Sequence, residues 1–195
     1  MTLTLEDTLK WLHGFDATVT AQKAYLSELD TPIGDGDHGN NLARGAAAIE
    51  DALSKQAPAD LTAALKTIAM ALVSKVGGAS GALYGTAFLE MAKASRETQD
   101  VAELLAAGLA GIQKRGGATT GEKTMVDVWA PVVAAAKAGN LTEQVITDAV
   151  QATEPMKATK GRASYVGDNS IGHLDPGSVS SGYLFSELLK AGVTA

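Results

Sequence analysis

Three carboxylates, Asp30, Asp35 and Asp37, fall inside the run Asp30-Thr31-Pro32-Ile33-Gly34-Asp35-Gly36-Asp37-His38-Gly39-Asn40-Asn41. Asp and Gly at this density disfavour helix and strand, so the run reads as a turn that projects side-chain oxygens. Oxygen-only ligands suit a hard cation, Mg2+ or Ca2+, and Mg2+ completes its shell with water or phosphate oxygens. Carboxylates this close repel one another, and a cation would relieve that repulsion. The plainer alternative is an exposed acidic turn in which Asp30 or Asp37 caps a helix. The segment lacks the terminal Glu of an EF-hand loop, which argues against a calcium sensor.

Other segments offer partners for a metal-phosphate site. Gly39-Asn40-Asn41 leads into a helix, whose first N–H groups could receive phosphate oxygens. His38 is either a phosphate contact or a hydrogen-bonded turn residue. Gly77-Gly78-Ala79-Ser80-Gly81 lets backbone amides approach a phosphate, with the Ser80 hydroxyl as a further donor; as a bare motif it is also an ordinary helix connection. It lacks the spacing and Lys-Ser/Thr ending of a P-loop, and no strand precedes it as a dinucleotide fold requires. Gly116, Gly121, Thr119, Thr120 and Met125 could border a base and ribose, Met being a soft, adaptable surface, although Met125 could equally belong to the core. In Lys160-Gly161-Arg162-Ala163-Ser164-Tyr165, Arg162 could stabilise charge on a transferring phosphoryl group or form a surface ion pair. Asp175-Pro176-Gly177 reads as a tight turn at a helix entrance.

The elements that position these residues are helical. Leu5, Leu9, Leu12, Phe15 and Val19 repeat at helical spacing, continue through Tyr25 and Leu29, and follow a Thr4/Asp7 capping pair. Further helices are predicted from about Asn40 to Lys55, after Asp60 (Leu61, Leu65, Ile68, Leu72, Val76), and over Leu83 to Met91. Others follow Asp100, run through Met125 to Val133 with a kink at Pro131, start near Thr142, and span roughly Ser178 to Lys190. A long polar segment, 160–177, precedes the last. With about eight helices and no strand alternation, the fold class is all-α, an antiparallel up-and-down bundle or closed barrel. In that arrangement alternate connections share an end. The Asp-rich turn, the two glycine loops and the 160–177 segment are alternate connections, so the composite site belongs at one rim.

Composition limits what that site serves. A chain of 195 residues suits a single domain with a sizeable core. A net charge of -6 argues against general nucleic-acid binding. With no cysteine, thiolate metal sites, disulfides and thiol catalysis are excluded. No leader pattern opens the sequence and no apolar run suffices for a membrane span, so a cytoplasmic protein is expected.

The ordered set of motifs resembles the nucleotide-binding L subunit of the phosphoenolpyruvate-dependent dihydroxyacetone kinase, the DhaL family. The residues that carry the likeness are Gly34-Asp35-Gly36-Asp37-His38-Gly39, Lys75-Val76-Gly77-Gly78-Ala79-Ser80-Gly81, Gly121-Glu122-Lys123-Thr124-Met125-Val126-Asp127, Lys160 to Tyr165, and Ser170-Ile171-Gly172-His173-Leu174-Asp175-Pro176-Gly177. The resemblance implies an eight-helix barrel with ADP and two Mg2+ ions at one rim. It assigns the metals to Asp30, Asp35 and Asp37. It assigns nucleotide contacts to His38, Gly39, Asn40, Asn41, Ala79, Ser80, Gly116, Met125, Arg162, Asp175, Pro176 and Gly177. It also implies two partners: a phosphohistidine carrier subunit that rephosphorylates retained ADP, and a subunit that holds dihydroxyacetone. Competing readings are the nucleotide domain of an ATP-exchanging dihydroxyacetone kinase, a metal-dependent phosphohydrolase, and a non-catalytic Mg-ADP sensor.

Overall fold

In a computed structural model that describes residues 1–193, the chain folds into eight α-helices: α1 (Leu5–Asp30), α2 (His38–Lys55), α3 (Leu61–Lys75), α4 (Gly78–Ala94), α5 (Val101–Gly116), α6 (Val126–Ala138), α7 (Glu143–Gln151) and α8 (Pro176–Lys190). A 3-10 segment, Arg162–Ser170, lies between α7 and α8. The start signals read from the sequence act as caps. Thr4 and Asp7 form a reciprocal capping box, and the Asp60, Asp100 and Thr142 side chains accept from backbone amides in the first turns of α3, α5 and α7. Among the described residues no strand forms, and no helix is long and apolar enough to cross a membrane.

Each helix packs on the next in the chain, and α8 packs back on α1. The ring is therefore closed, and its interior is one apolar core. Trp11 meets Phe88 across it with ring centroids 5.5 Å apart, and Trp129 meets Phe185 edge-on at 4.9 Å. The Trp11 indole N–H donates to the Leu184 carbonyl at 2.7 Å, satisfying its one polar atom inside the core. The α1–α2 crossing is tight at Gly39, where a Cβ would run into the Lys23 backbone carbonyl. That close approach brings the start of α2 down beside the end of α1, where the acidic turn begins.

Three sequence expectations are corrected. The buried stripe of α1 is Thr8, Trp11, Leu12, Phe15, Val19 and Leu26, whereas Leu9 and Tyr25 face solvent. Trp11 buries more area than Leu9, and the helix is rotated to put it inside. Ala79 and Ser80 lie in the first turn of α4, not in a loop before it, because Gly78, with φ of 71°, makes the turn in one residue. The polar 160–177 segment holds 3-10 turns, and the last helix starts at Pro176 rather than near Ser178, with Pro176 in its first turn.

Candidate functional site

The connections α1–α2, α3–α4, α5–α6 and α7–α8 border a single cavity at one end of the ring. Antiparallel packing requires this of alternate connections, and it brings together residues far apart in sequence.

The acidic turn forms the floor. Asp30 ends α1, is buried, and accepts through Oδ2 from the amides of Asp37 (3.0 Å) and His38 (3.2 Å). It thereby fastens the start of α2 to the end of α1 and occupies two amides at that helix start. Gly34 lies against the other Asp30 oxygen, with no room for a Cβ. One carboxylate oxygen from each of Asp30, Asp35 and Asp37 lies within 4.8 Å of the other two. Asp37 occupies the N-cap of α2 without making a side-chain cap. Asp35 pairs with Arg162, Oδ2 to Nη2 at 2.8 Å, so the last helix connection in the sequence reaches across to the first. Three hard oxygens converging beside a guanidinium form a donor set that fits a divalent cation carrying phosphate.

The His38 ring sits above this floor, with Nε2 3.0 Å from Ser180 Oγ. Burial pushes its pKa down from the usual imidazole value, against the pull of Asp30, Asp37 and Asp35. A buried network continues inward. Tyr84 Oη lies 2.8 Å from both Ser180 Oγ and Ser181 Oγ, and the Trp129 indole N–H donates to Ser181 Oγ at 3.1 Å. Burial raises the Tyr84 phenol, so it remains a neutral link in that network.

Ala79 and Ser80 border the cavity from the first turn of α4, where amides have no partner within the helix. Lys123, Thr124 and Met125 border it from the end of the α5–α6 connection, and Lys160, Gly161 and Arg162 from the α7–α8 connection. Asp175, Pro176 and Gly177 complete it at the start of α8. Met125 also lines an adjoining apolar pocket with Leu83, Ile112, Gly116 and Ala118, which suits a flat heteroaromatic ring. Gly39, Asn40 and Asn41 stand apart from the cavity wall: Gly39 is packed on α1, Asn40 is exposed, and Asn41 accepts from Arg44 Nη2 at 2.6 Å.

Residues 32–190 match the DAK2 domain family. The chain is 52% identical to the ADP-binding subunit DhaL of PEP-dependent dihydroxyacetone kinase 1 from Listeria innocua, over all of both chains. The chain belongs to the DhaL family. The DhaL of the PTS-dependent dihydroxyacetone kinase of Lactococcus lactis is 50% identical, over 96% of this chain and 98% of that one. The crystal structure of the C. freundii dihydroxyacetone kinase with AMP-PNP and Mg2+ superposes with a TM-score of 0.79 at 26% identity. That match covers 98% of this chain but 35% of the C. freundii chain, so this DhaL-family chain corresponds to about a third of that protein.

One site residue, Lys123, escapes a sequence reading of a DhaL-family chain. Lys123 carries no pattern that marks a lysine as buried, yet it is 1% exposed. Asp175 caps α8 by accepting from the Ser178 amide at 2.7 Å, and burial, with Asp127 nearby, pushes its pKa up to about 6. A carboxyl group raised in the folded state lends stability below its unfolded pKa and loses it as pH climbs through the folded value. Asp175→Asn keeps an oxygen for the cap and removes the titration. The stability of Asp175→Asn relative to wild type should therefore rise between pH 4 and pH 8, read from denaturant midpoints. A difference that is flat or falls with pH would contradict a raised Asp175 pKa.

Proposed function

We propose that this chain is the ADP-binding subunit of a phosphoenolpyruvate-dependent dihydroxyacetone kinase, working as one cytoplasmic domain. It holds ADP while a phosphohistidine carrier subunit of the phosphotransferase system delivers a phosphoryl group. It then presents the γ-phosphoryl group to dihydroxyacetone on a partner subunit, giving dihydroxyacetone phosphate. The observation that carries this reading is the convergence of the Asp30, Asp35 and Asp37 carboxylates with Arg162 at the mouth of a cavity flanked by an apolar pocket.

Asp30, Asp35 and Asp37 would hold Mg2+, as two ions. When bound, Mg2+ would supply positive charge that neutralises phosphate oxygens. The chain's own groups do the rest. Ala79 and Ser80 offer first-turn amides and a hydroxyl to phosphate oxygens, and His38, anchored through Nε2 to Ser180 Oγ, contacts the phosphate beside them. Gly39, Asn40 and Asn41, in the first turn of α2, contact the nucleotide from the side of the acidic turn. Met125 and Gly116 line the base pocket, and Asp175, Pro176 and Gly177 close it from α8. Arg162 stabilises the charge on the transferring phosphoryl group. Phosphoryl transfer needs positioning and charge neutralisation more than covalent chemistry, so a small helical rim suffices once a partner supplies the acceptor.

Native mass spectrometry of the purified chain tests this reading. ADP and two magnesium ions should survive purification with the protein, and the chain alone should form little dihydroxyacetone phosphate from dihydroxyacetone and ATP. Efficient turnover without partner subunits, or release of inorganic phosphate in its place, would overturn it.

A further inference from the structure

Lys123 lies at the cavity wall but is not spent on it. Its ammonium donates to three backbone carbonyls: Ser170 at 2.6 Å, Met156 at 3.0 Å and Glu154 at 3.2 Å. An ammonium has three N–H donors, so this set exhausts them and leaves none for a phosphate. The backbone adopts an uncommon conformation to make these bonds: Lys123 is the one non-glycine residue with positive φ, 59°, among the described residues.

The three carbonyls bracket the connection that carries Lys160, Gly161 and Arg162. Glu154 and Met156 stand at its start and Ser170 at the end of its 3-10 turns. Bonds around the same point draw the two ends together: Ser170 Oγ accepts from the Ala158 amide at 2.9 Å, and the Gly172 amide donates to the Glu154 carbonyl at 2.9 Å. The Thr159 amide donates to the Glu122 carbonyl at 3.2 Å, tying the connection to the residue before Lys123. Beyond these ties Arg162 is fixed by its contact with Asp35 alone among the recorded ion pairs, and both of those side chains are substantially exposed.

We propose that Lys123 is a positioning residue for nucleotide: its buried ammonium clasps the α7–α8 connection to the start of α6, so that Arg162 and Met125 keep a fixed separation across the bound ligand. The inference rests on the nucleotide reading above, but the clasp itself is a property of the free chain. It also separates two functions of the rim. The aspartate floor is built from α1 and α2 and does not depend on Lys123, whereas the wall that closes over the nucleotide does.

Lys123→Met keeps the apolar stem and removes the ammonium. In the nucleotide-free protein, amides 158–171 should exchange with solvent about tenfold faster or more, while amides of α3 and α4 keep their protection. Affinity for ADP in the presence of Mg2+ should fall about tenfold, while Mn2+ affinity without nucleotide stays within about twofold. A role confined to stability would lower the thermal midpoint without changing the ratio of those two affinities. A folded variant with wild-type ADP affinity and wild-type exchange over 158–171 overturns the proposal. If Lys123→Met does not fold, Lys123→Gln, which keeps an N–H donor pair on a shorter stem, carries the same comparison. Failure of both to fold assigns Lys123 to folding alone and also overturns it. A wild-type chain that binds no ADP would sink the nucleotide reading, and exchange over 158–171 would then decide whether the clasp exists.

Discussion

Asp37→Ala is expected to weaken Mg-ADP binding by about a hundredfold, on the order of 2.7 kcal/mol, and to leave the unfolding midpoint almost unchanged. The two halves of that expectation come from the same geometry. The Asp37 carboxylate is exposed and makes no cap to α2, so its removal forfeits no structural hydrogen bond. It also relieves repulsion within a trio whose oxygens crowd to within 4.8 Å. What is lost is one hard ligand of three, and a cation that also carries phosphate is sensitive to each. Asp30→Ala would be a poorer probe, since Asp30 also holds the amides of Asp37 and His38 and its loss would loosen the turn itself. Titration calorimetry with ADP at saturating Mg2+, beside a thermal melt, separates the outcomes. Unchanged affinity would count against the trio as the metal floor, and a large drop in the midpoint would make Asp37 structural.

The ring and its rim were readable to different depths. Helix starts were legible because Thr4, Asp60, Asp100 and Thr142 announce themselves chemically, and the side-chain caps form where those residues stand. The gathering of four connections at one end followed from parity, since short links force neighbours to run antiparallel. Rotation of α1 about its axis was not legible: Leu9 and Trp11 both fit an apolar stripe, and only the volume available inside a closed ring decides between them. The 3-10 turns of the connection after α7 were not legible for a related reason. Its turns are stabilised by Lys123, from the α5–α6 connection, and by Ser170, and nothing local to residues 160–177 encodes that support. Long-range bonds of this kind leave no periodicity. The same blindness applies to the line of hydroxyls from Ser180 through Tyr84 to Ser181, which joins the rim to the core through residues that read as ordinary helix positions.

Arg162→Ala should produce two effects of opposite sign. In the nucleotide-free chain Arg162 Nη2 rests 2.8 Å from Asp35 Oδ2, so the guanidinium occupies an oxygen that a cation would use. Removing it frees Asp35, and affinity for Mn2+ without nucleotide should rise. The gain is small: an ion pair this exposed is worth at most about 1 kcal/mol, or roughly fivefold. With nucleotide and partner subunits present, the balance reverses. A guanidinium that meets charge developing on a transferring phosphoryl group contributes about a thousandfold or more, so formation of dihydroxyacetone phosphate should fall on that scale. Lysine cannot substitute fully, because a point charge does not reproduce the planar fork, and Arg162→Lys should recover only part of the rate. Metal titrations read the first effect and coupled assays with the partner subunits read the second. Unchanged metal affinity together with transfer within about tenfold of wild type would reduce Arg162 to a surface ion pair. A slow variant with tightened metal binding would instead identify Arg162 as a group that leaves the aspartate floor when phosphate arrives, exchanging one carboxylate for the oxygens it is there to neutralise.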